Sequence, residues 1–435
     1  MAQFGTLPNG QVDDRVRIVM NENDVRIFES YEMRQSYMQA PASFACRLGS
    51  GEVTRQITGR YPPGISCQTM IGPVVQFTGR TDGYAPEGSQ GATEVNIRGR
   101  DTLAPLHDDM VTADRSFGNA SYIELVTEVL IACGVDQFTI IGDNAANRSA
   151  RANATITKVT IEPLASYISG TQSAITAGGA AAVSAGPAGA GILGSATALI
   201  PGVPKYTTKP NPDAKPLQAK VGQRWWDFLK KELDRAGLFL FAAGEPAVFM
   251  LCQPDTKQAP LYQLIRQRNA PVNTVNVLSA RHTNDTLRRA SHYIVHGRGG
   301  KGYRKAINAK IGASFVDEEM VNLGFTRHKV VADPQANNDK RAAYLCKRIA
   351  AEDRRQSWTL TYTVKGHTTI GLTGQDRLVW AVDTLVTVRD DELGIYGDLW
   401  IESLAFRCDT NGGTTTEITM VRPSDLIFGD PDLLA

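Results

Sequence analysis

Apolar and polar side chains alternate residue by residue at both ends of this chain. Near the start, Arg15-Val16-Arg17-Ile18-Val19-Met20 alternates, Asn21-Glu22-Asn23-Asp24 supplies a turn, and Val25-Arg26-Ile27-Phe28 resumes. Tyr31 to Met38, Ser43 to Leu48, Val74 to Gly79 and Thr93 to Gly99 continue the pattern. Short strands with turn signals between them predict a sandwich or small barrel. Toward the end, Trp358, Leu360, Tyr362 and Val364 alternate with threonines, and Val386 and Val388 run into Arg389-Asp390-Asp391-Glu392-Leu393-Gly394. Leu399-Trp400-Ile401 then leads through Leu404 and Phe406 to Asp409-Thr410-Asn411-Gly412-Gly413, and Glu417 to Val421 closes the set. Period-two runs bounded by Asp, Asn and Gly predict antiparallel strands joined by hairpins.

The period changes to that of a helix in three places. Ser121 and Glu124 form a capping box, Tyr122, Ile123, Val126, Val129, Leu130 and Cys133 recur on one face, and Gly134 stands where a left-handed cap would end the helix. Trp225, Phe228, Leu229 and Leu233 mark a second helix, ending near Gly237. A hairpin from Leu238-Phe241 and Val248-Cys252 around Ala243-Gly244-Glu245-Pro246 follows it. Asn337 or Asn338 caps a third helix through about Arg355, with Ala342, Leu345, Cys346 and Ile349 buried. Ser291 to His296 reads as a further strand.

From Pro163 to Pro204 no residue is charged. Ala, Gly, Ser and Thr gain little from hydrocarbon, and Pro187 and Pro201 break helices, so no stable membrane insertion is expected. The stretch reads either as a flexible insert or as a segment that orders against neighbouring subunits on assembly. The poor solubility of a charge-free loop favours the second.

A length of 435 residues predicts two to four domains. The formal net charge is +1, so no global field recruits nucleic acid or an anionic membrane. The start, MAQFGTLPNGQVDD, has neither a basic nor an apolar signal region, and the six scattered cysteines (Cys46, Cys67, Cys133, Cys252, Cys346 and Cys408) include no close pair. These features imply synthesis in a reducing cytosol.

Candidate chemistry is sparse. Gly297-Arg298-Gly299-Gly300-Lys301-Gly302 lacks the spacing of a phosphate loop and reads as a hairpin loop. His292 and His296 share a strand face without a third metal ligand. The carboxylate clusters Asp108-Asp109, Asp317-Glu318-Glu319 and Asp390-Asp391-Glu392 lie in turns or polar runs and read as solvated loops, although a hydrolase would need two such groups across a cleft. The basic run Arg298, Lys301, Arg304, Lys305 and Lys310 has only Tyr303 among it, so it reads as a charged surface or subunit interface rather than a nucleic-acid site. No catalytic, cofactor-binding or metal-binding residue is assigned.

Five features in order resemble a known family. They are Val95-Asn96-Ile97-Arg98-Gly99-Arg100-Asp101 with Leu106 and the Ser121 helix; the Trp225-Trp226 helix with its hairpin; Ser291 to Gly297; the Gly394-Ile395-Tyr396-Gly397 turn with Leu399-Trp400-Ile401 and Phe406; and the Gly412-Gly413-Thr414-Thr415-Thr416 hairpin before Pro423. Together they resemble the baseplate hub proteins of contractile-tail phages, the Mu-like tail protein P family related to late control gene D proteins. The Ala/Gly-rich stretch departs from the usual pattern.

The resemblance implies an α+β, mainly β fold, with two small antiparallel β-barrel (tube-like) domains flanking a mixed α/β middle region. The expected division is 1–110 for the first barrel, 111–162 with 205–270 for the middle, 163–204 for the insert, and 271–435 for the second barrel with an inserted helix 337–355. It also implies a homotrimer whose six quasi-equivalent barrels adapt a hexameric tail tube protein to a trimeric central spike protein, with tape measure and wedge proteins as further partners. No cofactor and no catalytic group come with the family. Its place is the virion tail baseplate, assembled in the host cytoplasm. Two alternatives stay open: a tail-tip peptidoglycan hydrolase, and a carbohydrate-binding adhesin using exposed Trp and Tyr.

Overall fold

The N-terminal alternation builds seven strands, each burying one face: β1 (Val16–Met20), β2 (Asn23–Val25), β3 (Ser30–Ser36), β4 (Ser43–Leu48), β5 (Ser66–Ile71), β6 (Val74–Ser89) and β7 (Ala92–Asp101). Ile18, Met20, Met33, Phe44, Leu48, Phe77 and Val95 are its buried side chains. The computed structural model of the chain describes residues 15–25, 28–48, 63–89, 92–117, 121–135, 138–142, 155–162, 203–209, 217–268, 276–297, 311–333, 336, 339–370, 377–409 and 412–427. The charge-free residues 163–202 and the glycine-rich loop after Gly297 lie outside these. β6 runs well past the predicted Gly79. The Gly- and Pro-containing residues up to Ser89 look like a turn in sequence, but pairing with β7 carries them onward through an irregularity between Thr81 and Gly83.

A mixed layer follows: α1 (Ala104–Asp108), β8 (Arg115–Phe117), α2 (Tyr122–Ala132), β9 (Thr139–Gly142), β10 (Thr155–Glu162), β11 (Val203–Lys209), β12 (Leu217–Ala219), α3 (Trp225–Ala236), β13 (Phe239–Ala242) and β14 (Val248–Cys252). The predicted capping box is present at Ser121 and Glu124. Gly237 ends α3 in the left-handed conformation, at φ 66°. β13 and β14 form the predicted hairpin, and β9 adds to it in parallel. Trp225, Phe228, Leu229 and Leu233 pack with Leu125, Val126, Val129 and Leu130 of α2 in a core separate from that of the main sheet.

The C-terminal part comprises β15 (Tyr262–Arg266), β16 (Val277–Asn284), β17 (His292–Gly297), β18 (Gly312–Val316), α4 (Glu318–Asn322), β19 (His328–Asp333), α5 (Asp339–Ser357), β20 (Trp358–Lys365), β21 (Thr368–Ile370), β22 (Arg377–Val379), β23 (Leu385–Asp390), β24 (Ile395–Asp409) and β25 (Gly413–Val421). The Ser291–His296 run does not enter the main sheet. β17 is the centre of a separate three-stranded sheet, β18-β17-β19.

Among the described residues the strands of the two ends are not separated into two closed barrels. They form one thirteen-stranded sheet in the order β16-β20-β25-β24-β3-β4-β7-β6-β5-β1-β2, with β15 paired to β23 and β23 to β24. No closed barrel occurs among the described residues. The two ends are joined through β24, which is 15 residues long. Its first part pairs with β23 through Leu385↔Trp400. After a bulge at Glu402, between Ile401 and Ser403, the same edge takes β3 from Ser403↔Ser36 to Cys408↔Tyr31. One apolar core accordingly joins Ile18, Phe44 and Phe77 to Leu360, Phe406 and Met420.

The middle layer meets the sheet through a cluster in which Phe241, Met250 and Cys252 pack on Tyr37, Leu385, Trp400 and Val421, and through the tip of its β13–β14 hairpin. Gly244 has φ +84°, and a Cβ there would meet the Val75 carbonyl oxygen at 2.7 Å. The Thr78 hydroxyl donates to the Gly244 carbonyl at 2.5 Å. Gly244→Ala is expected to cost about 1–3 kcal/mol in urea unfolding, through strain and loss of this approach. Gly83→Ala, where a Cβ meets nothing within 4 Å, is the matched control and should change stability by less than about 0.5 kcal/mol.

Candidate functional site

The Gly99-Arg100-Asp101 tripeptide ends β7, and each residue is explained by its surroundings. A Cβ on Gly99 would meet the Arg80 carbonyl oxygen at 2.7 Å, so β6 and β7 approach too closely for a side chain. Arg100 lies between two carboxylates, donating to Asp82 at 2.7 and 2.8 Å and to Asp108 at 2.9 and 2.7 Å. Asp101 is buried and accepts the N–H of Ala42 at 2.7 Å and of Leu103 at 2.9 Å. It ties the loop before β4 to the start of α1. Burial pushes its carboxyl up to about 7, against the pull of the two amides.

Two of the three carboxylate clusters are not the solvated loops expected. Asp390 is fully buried. Its Oδ1 accepts the N–H groups of Glu392 and Leu393 at 2.9 Å each, and its Oδ2 accepts the Tyr362 hydroxyl at 2.5 Å and Arg266 at 3.4 Å. Asp317 is buried against Arg289, at 3.1 and 2.9 Å, with Arg354 at 3.8 Å. An Asp-rich run looks polar in sequence, but one carboxylate in each turns inward to collect donors. Neither presents an unengaged oxygen to a substrate. Asp108 and Asp109 are exposed, as their polar run predicts.

His292 stacks on His328 with 4.8 Å between ring centroids and 18° between planes, a cofacial arrangement that does not converge on one ion. Among the described residues no group of three His, Cys, Asp or Glu side chains is placed to hold a metal. The basic run from Arg298 to Lys310 lies outside the described residues.

What the fold brings together instead is the seam between β3 and β24. On the inner side, Tyr31 of β3 bonds to Nε2 of the buried His367, whose Nδ1 lies 2.9 Å from the Thr416 hydroxyl. Thr416 donates its own proton to the Gly366 carbonyl at 2.7 Å. His367 Nδ1 is therefore the donor to Thr416, and Nε2 accepts from Tyr31. On the outer side a charge ladder crosses the strands, with Arg407 donating to Glu32 at 2.7 Å and to Glu417 at 2.6 Å, and Arg34 donating to Glu32 at 2.9 Å. A groove of about 350 Å³ lined by Arg34, Gln39, Ser43 and Arg407 runs over it. Each exposed pair contributes ~0.2–1 kcal/mol, whereas a buried Phe406 or Met33 contributes ~1.5–3. The interior holds the seam, and the ladder sets its register. Sequence reading missed Tyr31, His367, Glu402 and Arg407. The one available signal was the apolar alternation of Leu404 and Phe406 continuing beyond the length that a hairpin with β23 needs.

The overall fold has known counterparts. The 43 kDa tail protein of prophage MuSo2 from Shewanella oneidensis matches 95% of this chain and 99% of its own, with a TM-score of 0.65 at 16% identity. This chain has the fold of a phage tail protein. The tail protein from Neisseria meningitidis MC58 agrees, with a TM-score of 0.65 at 17% identity over 94% of this chain and 98% of that one. No protein-family model matches the sequence, and no curated protein does either. The likeness therefore lies in the fold, at an identity of 16–17%.

The folded-state value of Asp101 lies above the ~3.9 of an unfolded aspartate, so its contribution to stability is complete below about pH 4 and is lost as pH rises through 7. Asp101→Asn should remove that part of the pH slope in urea unfolding. The variant should be less stable by about 1–3 kcal/mol at pH 5, since its amide faces a backbone N–H, and the gap should narrow toward pH 8. Asp390→Asn should lower stability by about 2–4 kcal/mol, because its one remaining oxygen can keep the two N–H groups only by turning an NH2 toward the Tyr362 hydroxyl and the Arg266 guanidinium.

Proposed function

We propose that this chain is a structural subunit of a phage tail, and specifically the hub of a contractile-tail baseplate. The observation that carries this reading is the match in fold to two tail proteins over nearly their whole lengths and nearly the whole of this one. The hub acts as a homotrimer. Each subunit supplies an N-terminal part, 1–110, and a C-terminal part, 271–435, as two comparable units of a pseudo-hexameric ring. The middle region, 111–162 with 205–270, braces them, and the 163–204 stretch orders on assembly. The hexameric tail tube protein sits on one end of the ring and the trimeric central spike on the other, with tape measure and wedge proteins nearby. The chain then resides in the virion tail after assembly in the host cytoplasm.

Three observations support this reading. The sheet is long, and among the described residues β16 pairs on one edge only, with β20. Its side chains are largely exposed, including Leu278. Such an edge is a pairing surface for a neighbour. The β23–β24 turn offers exposed Leu393 and Tyr396, and its Gly394 and Gly397 take φ values of +66° and +131°. The oxygens of Asp390 and Asp317 are engaged in the interior, while Glu392, the other acid a hydrolase could use, pairs with Arg266.

Purified protein is expected to sediment as a trimer, alone or on mixing with its spike protein. A stable monomer that binds neither tube nor spike protein would overturn the reading. Gly397→Val should block tail assembly in a complementation assay while the isolated chain, strained by about 1–3 kcal/mol at that positive φ, still folds and unfolds cooperatively. Peptidoglycan clearing by the parent protein, lost in an equally stable Glu392→Gln variant, would favour the hydrolase instead.

A further inference from the structure

Residues 289–357 form a unit with its own core. α5 packs on one face of the β18-β17-β19 sheet, and the two apolar clusters, centred on Val295 with Cys346 and on Tyr293 with Ala350, draw on no residue outside 290–350. The chain enters and leaves this unit at adjacent points. Asn284 of β16 pairs with Trp358 of β20, and the Asp285 N–H donates to the Ser357 carbonyl at 2.9 Å. A unit with a separate core and a paired two-strand neck is built to pivot, because rotating it breaks no apolar cluster.

α5 touches the turn Pro423–Asp425, and polar groups set its angle there. Arg355, on the last turn of α5, donates to Glu402 at 2.6 Å, with side-chain exposures of 11% and 14%. The same guanidinium holds Glu352 at 2.6 and 2.9 Å. Arg422, paired with Asp425 at 2.9 Å and 5.1 Å above the Trp358 ring, adds a longer-range attraction for Glu319 of the unit. Beyond this corner, α5 faces α3 across a cavity of about 350 Å³. Each wall satisfies itself. Lys230 pairs with Asp234 at 3.2 Å on α3, while Glu352 holds Arg355 and Gln356 on α5. None of the described bonds of Lys230, Asp234, Glu352 or Gln356 spans the cavity.

We propose that residues 289–357 are an arm that swings on the β16–β20 neck, latched by Arg355 on Glu402, with the cavity between α3 and α5 as the space it sweeps. Glu402 is also the bulge at which β24 exchanges β23 for β3, and its carbonyl accepts the Tyr37 N–H at 3.0 Å. Release of the arm therefore loosens the seam at the same residue. The inference stands on the geometry of one chain and does not depend on the hub reading.

Three variants test it. Glu402→Gln removes the charge of the latch and leaves Arg355 with Glu352, Arg355→Met removes the cation, and Lys230→Gln, on the opposite wall of the cavity, keeps the latch as a control. Nitroxide labels on cysteines introduced at the exposed positions Val330, on the arm, and Ile131, on α2, report the arm angle by electron–electron distance measurement. Cys133 and Cys408 are replaced by serine, and labelled protein is diluted into excess unlabelled protein so that only distances within one chain are read. Both latch variants should broaden the distribution toward longer distances, and Glu402→Gln should speed amide exchange at Tyr37. The control should match the parent. Distributions as narrow as the parent's in both latch variants would overturn the proposal, as would a parent already as broad as they are.

Discussion

The pairing of β3 with the second half of β24 is the constraint on which the rest of the molecule depends. It turns two strand-rich ends of the chain into one sheet with one apolar core. The bulge at Glu402 makes it possible by letting a single strand edge serve two partners in succession. β23 covers only the first part of that edge, and the length of β24 beyond Trp400 gives β3 its place. Around this joint the structure gathers its less ordinary polar groups: a buried histidine with a defined tautomer, a ladder of three ion pairs, and the Arg355–Glu402 contact. They fix relative position where apolar packing alone would allow sliding.

The buried carboxylates follow one logic. Asp101, Asp317 and Asp390 each sit at the end of a strand and receive donors from the turn that follows, from a strand alongside or, for Asp317, from Arg289 in the loop before β17. A carboxylate in such a place fixes the geometry of a chain reversal. It is stable only while every donor stays in place.

Much of the local structure was legible in the sequence, for physical reasons. The Ser121 capping box, the Gly237 cap and the alternation through Trp358 to Val364 depend on neighbours within a few residues, so they can be read from spacing. The β13–β14 hairpin is equally local. The parallel addition of β9 could not be read, since its four residues carry no distinctive pattern. Nor could the partner of β3, because alternation specifies which face of a strand is buried and says nothing about which strand lies across its edge. The two expected barrels failed on that point. The polar runs around Asp317 and Asp390 misled for a related reason, in that composition cannot distinguish a carboxylate facing water from one facing buried donors. At the seam, the family resemblance supplied strand-rich ends but not their fusion.

The seam joins residues that are synthesised far apart in time. Glu32 and Arg407 are 375 positions apart. Until β24 leaves the ribosome, the N-terminal strands have an unpaired β3 edge, and their apolar face lacks Leu360, Phe406 and Met420. Loop closure over such a distance is slow, and exposed strand edges in the interval recruit other chains. The nascent N-terminal half is therefore the stage of this protein's life most dependent on chaperones. A chain cut short before Ile395 would leave that edge bare permanently, so incomplete copies should aggregate rather than enter an assembly as defective parts.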